Sequence, residues 1–334
     1  MLARRFVAWI ASVWASGLMV IACAHQPPPP LHSSRLLVER SNGAVRAFVR
    51  AKVAGEPMTL LLDTGAARSI LPLGFARAHN LARQSRDSDQ SFVDANGWVR
   101  KMQLATGVPV QFEGEAGAGT LDFLINPAEA NTEAILAPQD VLRPGWALVI
   151  DLGREEIRYE PEEVALKRLS GQASPPIREV DFHRCLHEGL FERSSHRFVT
   201  ATINGVSASM LVDTGASRTV LTRNNPALRS MFAVKGSRST TQAVTSTGPI
   251  LIVDDVPIMF SQTSFVLPVM VHPTTPICGH GALGADLLRH CTLVWGWSSL
   301  WSACRAPAET DHSSQTDGAP KTESALSRDI PPRP

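Results

Sequence analysis

Two stretches of this chain are nearly the same stretch, and any fold it adopts must accommodate both. Leu61-Leu62-Asp63-Thr64-Gly65-Ala66-Ala67-Arg68-Ser69-Ile70 returns as Leu211-Val212-Asp213-Thr214-Gly215-Ala216-Ser217-Arg218-Thr219-Val220, 150 residues further on. The likeness continues upstream at the same spacing, where Phe48 to Gly55 stands over Phe198 to Gly205. A repeat of this length is one structural unit used twice. The chain is therefore read as a duplicated domain with an Asp-Thr-Gly loop in each copy.

A length of 334 residues leaves room for two domains, each with its own core, and 44% hydrophobic content supports folded globular bodies. The net charge is +1 and there is no long basic run, which removes the electrostatic footprint of nucleic-acid binding. The expected organisation is a signal peptide over 1–22, a Pro-rich tether over 23–35 and a first domain over 36–161. A linker over 162–177, a second domain over 178–304 and a disordered tail over 305–334 complete it.

Residues Ala3-Arg4-Arg5 supply a positive start, and Phe6 to Ile21 is apolar but short for a spanning helix. Val20-Ile21-Ala22-Cys23 then resembles the lipobox of bacterial lipoproteins, which implies acylation at Cys23 and a membrane lipid anchor. An uncleaved anchor and an ordinary secreted protein are the alternatives. Ala24 in place of Asp suits outer-membrane delivery, and Pro27 to Pro30 suits a polyproline II spacer. Both point to the bacterial envelope, on the outer-membrane or periplasmic face.

With Cys23 set aside, Cys185, Cys278, Cys291 and Cys304 remain, all in the second copy. An even set beyond the inner membrane is consistent with two disulfides, in three pairings, with Cys291 to Cys304 favoured. A zinc set of Cys278, His280, His290 and Cys291 matches no structural zinc spacing, so no metal and no cofactor is expected.

Apolar and polar positions alternate over Ala44 to Val53, and Met58 to Leu62 is an apolar run delivering Asp63 at its end. Many short strands, few helices and frequent Gly or Pro turns follow in both copies. The expected fold class is mainly β: two tandem closed β-barrel domains packed as a pseudo-twofold pair, with the active site between them. One Asp-Thr-Gly alone reads as a strand-ending turn. Two in matched context read differently, since each carboxylate follows a buried strand and needs a partner or a task. Gly65 and Gly215 allow two backbones to approach, and Thr64 and Thr214 carry hydroxyls able to bond across the approach. Asp63 and Asp213 brought together would share one proton, so one takes a proton from water while the other donates to an amide carbonyl.

These residues resemble the retropepsin-like aspartic proteases, relatives of retroviral protease and pepsin. Both copies carry apolar-apolar-Asp-Thr-Gly-Ala, and both carry a glycine-bearing hairpin where that family places its flap. The hairpins supply Asn96, Gly97 and Trp98 in one copy and Thr247 and Gly248 in the other. Leu283-Gly284-Ala285-Asp286-Leu287-Leu288 resembles the family's apolar-Gly motif. The resemblance implies a closed barrel in each copy, Asp63 and Asp213 as the catalytic pair, and loop support from Thr64, Gly65, Ala66, Thr214, Gly215 and Ala216. It further implies an endopeptidase acting on peptide or protein substrates. The first copy departs at Ile135-Leu136-Ala137-Pro138-Gln139-Asp140, where Ala137 replaces the glycine and one extra residue precedes Asp140. Ala66 and Ala216 lack the hydroxyl often found there in pepsin-like relatives, which implies a less acidic pair and activity in mild acid.

Other signals are weaker. Gly279 to Gly284 fits a dinucleotide glycine pattern but lacks the crossover unit that pattern needs. His183, His187 and His196 read as exposed polar positions. A single chain with an internal pseudo-dimer is the expected form, with a homodimer as its rival. A peptide-binding or scaffold lipoprotein of the same fold, without turnover, is the alternative function.

Overall fold

The computed structural model describes residues 31–81, 90–93, 99–114, 119–127, 133–184, 196–228, 231, 240–245, 248–273 and 279–307. The signal segment, Cys23, the proline run, Asn96, Gly97, Trp98, Cys185, His187, Thr247, Cys278 and the tail beyond 307 lie outside the described residues.

The first half runs β1 (Leu31–Arg35), β2 (Leu37–Ser41), β3 (Ala44–Val53), β4 (Glu56–Leu62), β5 (Ile70–Pro72) and α1 (Leu73–Ala78). It continues through β6 (Gln90–Val93), β7 (Val99–Phe112), β8 (Gly119–Asn126), β9 (Ile135–Leu136) and α2 (Pro138–Val141), then β10 (Trp146–Asp151), β11 (Glu156–Pro161) and α3 (Glu162–Ser170). The second half runs β12 (Arg178–Glu179), β13 (Phe182–His183), β14 (Phe198–Ile203), β15 (Val206–Val212), β16 (Val220–Thr222) and β17 (Thr240–Thr245). It ends with β18 (Gly248–Phe260), β19 (Thr263–His272), β20 (Gly281–Leu283), α4 (Ala285–Leu288), β21 (Cys291–Gly296) and β22 (Leu300–Cys304).

Each half closes on itself. In the first, β3, β4, β9, β5, β8 and β7 follow one another and β7 pairs back to β3. In the second, β14, β15, β20, β16, β19 and β18 do the same, with β18 pairing back to β14. Closure removes the sheet edge, as the expected barrels require. A short strand is wedged in beside each Asp loop. β9 pairs parallel to β4 at Leu62↔Leu136, and β20 pairs parallel to β15 at Val212↔Leu283. These residues are almost completely buried, which fixes the strand ends from which the loops spring. Burying a leucine side chain contributes about 2 kcal/mol.

A third sheet joins the halves, in the order β1-β11-β10-β21-β22-β12. Its central pair, β10 and β21, is antiparallel and centred on Val149↔Val294. The closing hairpins thus merge into one sheet instead of finishing two separate barrels. β1 supplies one edge, so Leu31–Arg35, expected to belong to the tether, is paired with β11.

The polar segment 162–177 contains α3. Glu162 and Glu163 sit in its first turn and Lys167 and Arg168 in its last, the arrangement the helix dipole favours. Ala165, Leu166 and Leu169 form its apolar stripe and pack on Ala147, Val149 and Val294 of the shared sheet. Among the described residues no helix is long and apolar enough to cross a membrane.

Candidate active site

Asp63 follows β4 and Asp213 follows β15, and each loop is built in the same way from its own backbone. Asp63 N–H donates to the Leu136 carbonyl at 3.0 Å, and Asp213 N–H donates to that of Leu283 at 3.1 Å. Gly65 N–H then turns back onto Asp63 Oδ1 at 2.8 Å, and Gly215 N–H onto Asp213 Oδ1 at 2.9 Å. Ala216 N–H adds a second bond to Asp213 Oδ1 at 3.0 Å.

The threonines lock the halves together. Thr64 Oγ1 donates to the Val212 carbonyl at 2.8 Å and accepts from Thr214 N–H at 2.9 Å. Thr214 Oγ1 donates to the Leu62 carbonyl at 2.6 Å and accepts from Thr64 N–H at 3.1 Å. Both threonines are completely buried, so a missing partner would leave an unsatisfied group at a cost of about 1–3 kcal/mol.

This lock brings the carboxyls together. The Asp63 and Asp213 side chains are hydrogen-bonded to each other, which requires that they share a proton. A Cβ on Gly65 would collide with the Asp213 carboxyl, and one on Gly215 with that of Asp63. Each acid therefore rests over the other half's glycine. Burial raises both carboxyls above the usual aspartate range. Backbone N–H bonds partly offset this in both, from Gly65 and Ala66 to Asp63 and from Gly215 and Ala216 to Asp213.

Of the residues expected at the site, the structure unites Asp63, Thr64, Gly65, Ala66, Asp213, Thr214, Gly215 and Ala216 between the halves. The hairpin arms are present too. β6 pairs β7 as far as Val93↔Val99, and β17 pairs β18 as far as Thr245↔Gly248. Gly284 needs its missing side chain because a Cβ there would strike the Arg218 backbone beneath the second loop. The glycines over 279–284 thus serve the loop support rather than a phosphate.

Two residues near the site escaped the sequence reading. His196 was expected to be exposed, but it is half-buried, bonds the Gly65 backbone and feels the charge of Asp213. Its repeat mate, Arg46, was the available signal. Arg197, buried, sits 4.7 Å from the Phe182 ring centroid and 4.2 Å from that of Trp295, and donates to the carbonyls of Gly296 and Ser299. A charge at the mouth of an apolar strand marks it. Cys291 and Cys304 form a disulfide across β21 and β22, so Cys291 is unavailable to zinc. Among the described residues no cluster of His, Cys, Asp and Glu could hold a metal ion.

Residues 49–142 match the family described as "gag-polyprotein putative aspartyl protease", and residues 199–287 match the family described as "Aspartyl protease". No curated protein matches the chain in sequence. Among solved structures, the crystal structure of Basic 7S globulin from soybean is similar at 12% identity, over 82% of this chain and 95% of that chain, with a TM-score of 0.49. Two aspartyl-protease family models thus match in tandem, one on each half of the chain.

Proposed function

We propose that the protein is an aspartic endopeptidase in which a water molecule, activated between Asp63 and Asp213, hydrolyses a peptide bond. The observation that carries this reading is the hydrogen-bonded carboxyl pair, each member over the opposite glycine. The ionised carboxylate accepts a proton from the water as oxygen attacks the amide carbon. The neutral carboxyl donates its proton to the carbonyl oxygen, giving a tetrahedral diol, and the pair then returns a proton to the leaving nitrogen. No covalent enzyme intermediate is needed. Burial raises both acids, and neither Ala66 nor Ala216 can offset this with a hydroxyl, so turnover belongs in mild acid.

The native chain, Asp63→Asn and Asp213→Asn, incubated with a peptide library across a pH series, test this reading. Cleavage by the native chain, with a loss on the order of 10³-fold in either variant, supports it. Equal cleavage by all three would discard the pair. Binding without cleavage by the native chain would favour a peptide-binding lipoprotein of the same fold.

The envelope tether through Cys23 belongs to the same proposal, supported by Val20-Ile21-Ala22-Cys23 and the following prolines. The protein should partition with membranes and Cys23→Ser should release it; release of neither form into the soluble fraction would argue for an uncleaved anchor. Both Asp loops lie in one chain and lock to each other, which supports a monomer. Size measurement of the body lacking residues 1–30 checks this, with a dimer as the contrary result.

A further inference from the structure

His196 stands 150 residues after Arg46, at the entry to β14 where Arg46 enters β3. The two mates behave differently. Arg46 turns outward, its guanidinium 5.0 Å from the Phe48 ring centroid and paired with Glu133 on the surface. His196 turns inward and bonds the Gly65 backbone of the opposite loop. That bond favours the charged imidazole, so it runs from a ring N–H to the Gly65 carbonyl. Gly65 thus carries Asp63 on its amide and His196 on its carbonyl.

We propose that His196 is a positioning residue of the site, whose imidazolium, docked on Gly65, keeps Asp213 the ionised member of the pair and leaves Asp63 to carry the shared proton. This rests on the paired-aspartate reading given above and assigns unequal duties within it.

The backbone serves the two carboxyls alike, Asp63 through the amides of Gly65 and Ala66 and Asp213 through those of Gly215 and Ala216. The inequality between them enters with His196. The His196 charge acts on Asp213, lowering its affinity for a proton. Arg46, paired with Glu133 at the surface, is not among the groups that act on Asp63.

The groups around His196 have separate engagements. Asp213, on the second loop, is the charged group that acts on it. Arg197, its neighbour in the chain, points into the turn between β21 and β22, and the Arg218 guanidinium lies against Gly43. His183 bonds Ser209 and stacks on Phe198. Loss of hydration holds His196 below its usual range, against the lift from Asp213 and the Gly65 carbonyl. It is neutral at higher pH and charges on acidification, the range in which the pair must keep one ionised member.

Two measurements on the full chain test the assignment. The first is kcat/KM against pH for the native protein, His196→Gln and His196→Arg, with a peptide the native chain cleaves. Gln keeps an N–H for the Gly65 carbonyl and loses the charge, so the acid limb should move up by about half a pH unit or more. Arg keeps a permanent charge, so its acid limb should stay at or below the native position. Rates lowered by one factor at every pH, with both limbs unmoved, would overturn the proposal and leave His196 a purely structural contact.

The second measurement needs no turnover. The His196 ring titration, assigned among the 10 histidines by its absence from His196→Gln, is followed by NMR in the native chain and in Asp213→Asn. Its midpoint should fall in Asp213→Asn, where the attracting charge is gone. An unchanged midpoint overturns the coupling whether or not the chain cleaves peptides. A fallen midpoint in a chain that cleaves nothing upholds the coupling and discards the endopeptidase.

Discussion

The undersides of the two Asp loops do the same work with different atoms. Beneath the second, Ala285 N–H donates to the Ala216 carbonyl at 2.7 Å. Thr219 Oγ1 there donates to Asp286 at 2.8 Å and accepts from Gly284 N–H at 3.2 Å. Leu136 and Leu283 hold matching bonds to the two aspartates, which sets Ala137 against Gly284 and Pro138 against Ala285. Proline has no N–H to give. The first half uses the residue after it instead: the Gln139 side-chain amide donates to the Ala66 carbonyl. Ser69 Oγ accepts from Ala137 N–H at 3.0 Å, and Asp140, one position later than its counterpart, accepts from Ser69 N–H at 2.5 Å and pairs with Arg68 at 3.0 Å. What the loop demands is a donor at each point, and the extra residue is what allows a side chain to supply one.

The equality of the loops is most severely tested at their glycines. Gly65→Ala and Gly215→Ala each push a methyl into the opposite carboxyl, which must move by an ångström or more. Each variant should lose about 100-fold or more in kcat/KM, since misplacement on this scale costs about that much. Matching losses would show that the halves share the chemistry evenly in geometry. A loss in only one would show that its carboxyl alone must be held in place.

The closing hairpins differ as well. β21 and β22 are cross-linked by Cys291–Cys304, with a sequence separation of 13, whereas β10 and β11 rely on Trp146 stacked on Tyr159 at 4.9 Å. Replacing both cysteines by serine should cost about 3 kcal/mol through loop entropy alone. Trp146→Leu should cost about 1 kcal/mol beyond lost area. Denaturant midpoints compare them, and equal losses would show the bridge to be redundant with the shared sheet.

The barrels and the pair were legible because they rest on signals that act locally and repeat. Alternating apolar positions give the β3 and β14 strands, and the doubled Asp-Thr-Gly gives the loops. The shared sheet was not legible, since its β10–β21 pairing is set by how two finished halves meet. Nor was α3, where five polar residues mask the Ala165, Leu166 and Leu169 stripe in a segment read as linker. His196 was missed for a related reason: its environment comes from the other half's Gly65, 131 residues away in sequence and adjacent only after folding.

Proton uptake by the aspartate pair should show in the stability of the chain. Both are raised by folding, so their contribution to stability is fully present below the unfolded value near 3.8 and is lost as pH rises through the folded values. Stability should therefore fall from acid toward neutral pH, by at most about 1.4 kcal/mol per pH unit for each proton released. Asp63→Asn and Asp213→Asn should each flatten the curve, and both variants should exceed the native chain in stability at neutral pH. Urea unfolding across a pH series measures this, and a native curve that rises toward neutral pH would contradict it.

The smallest expected effect bears most directly on how the first loop is supported. Gln139→Leu removes the donor to the Ala66 carbonyl, and should cost about 1 kcal/mol where water can partly take its place. Pro138→Ala restores an N–H at the position from which Ala285 serves the second loop. If the two devices are equivalent, Pro138→Ala should recover most of that loss in the Gln139→Leu background and gain little in the native one. The coupling between the two substitutions, read from four denaturation curves, isolates the exchange. Additive effects would mean that the Gln139 bond supports the loop in a way a main-chain donor cannot, and that the two halves are held by different means as well as by different atoms.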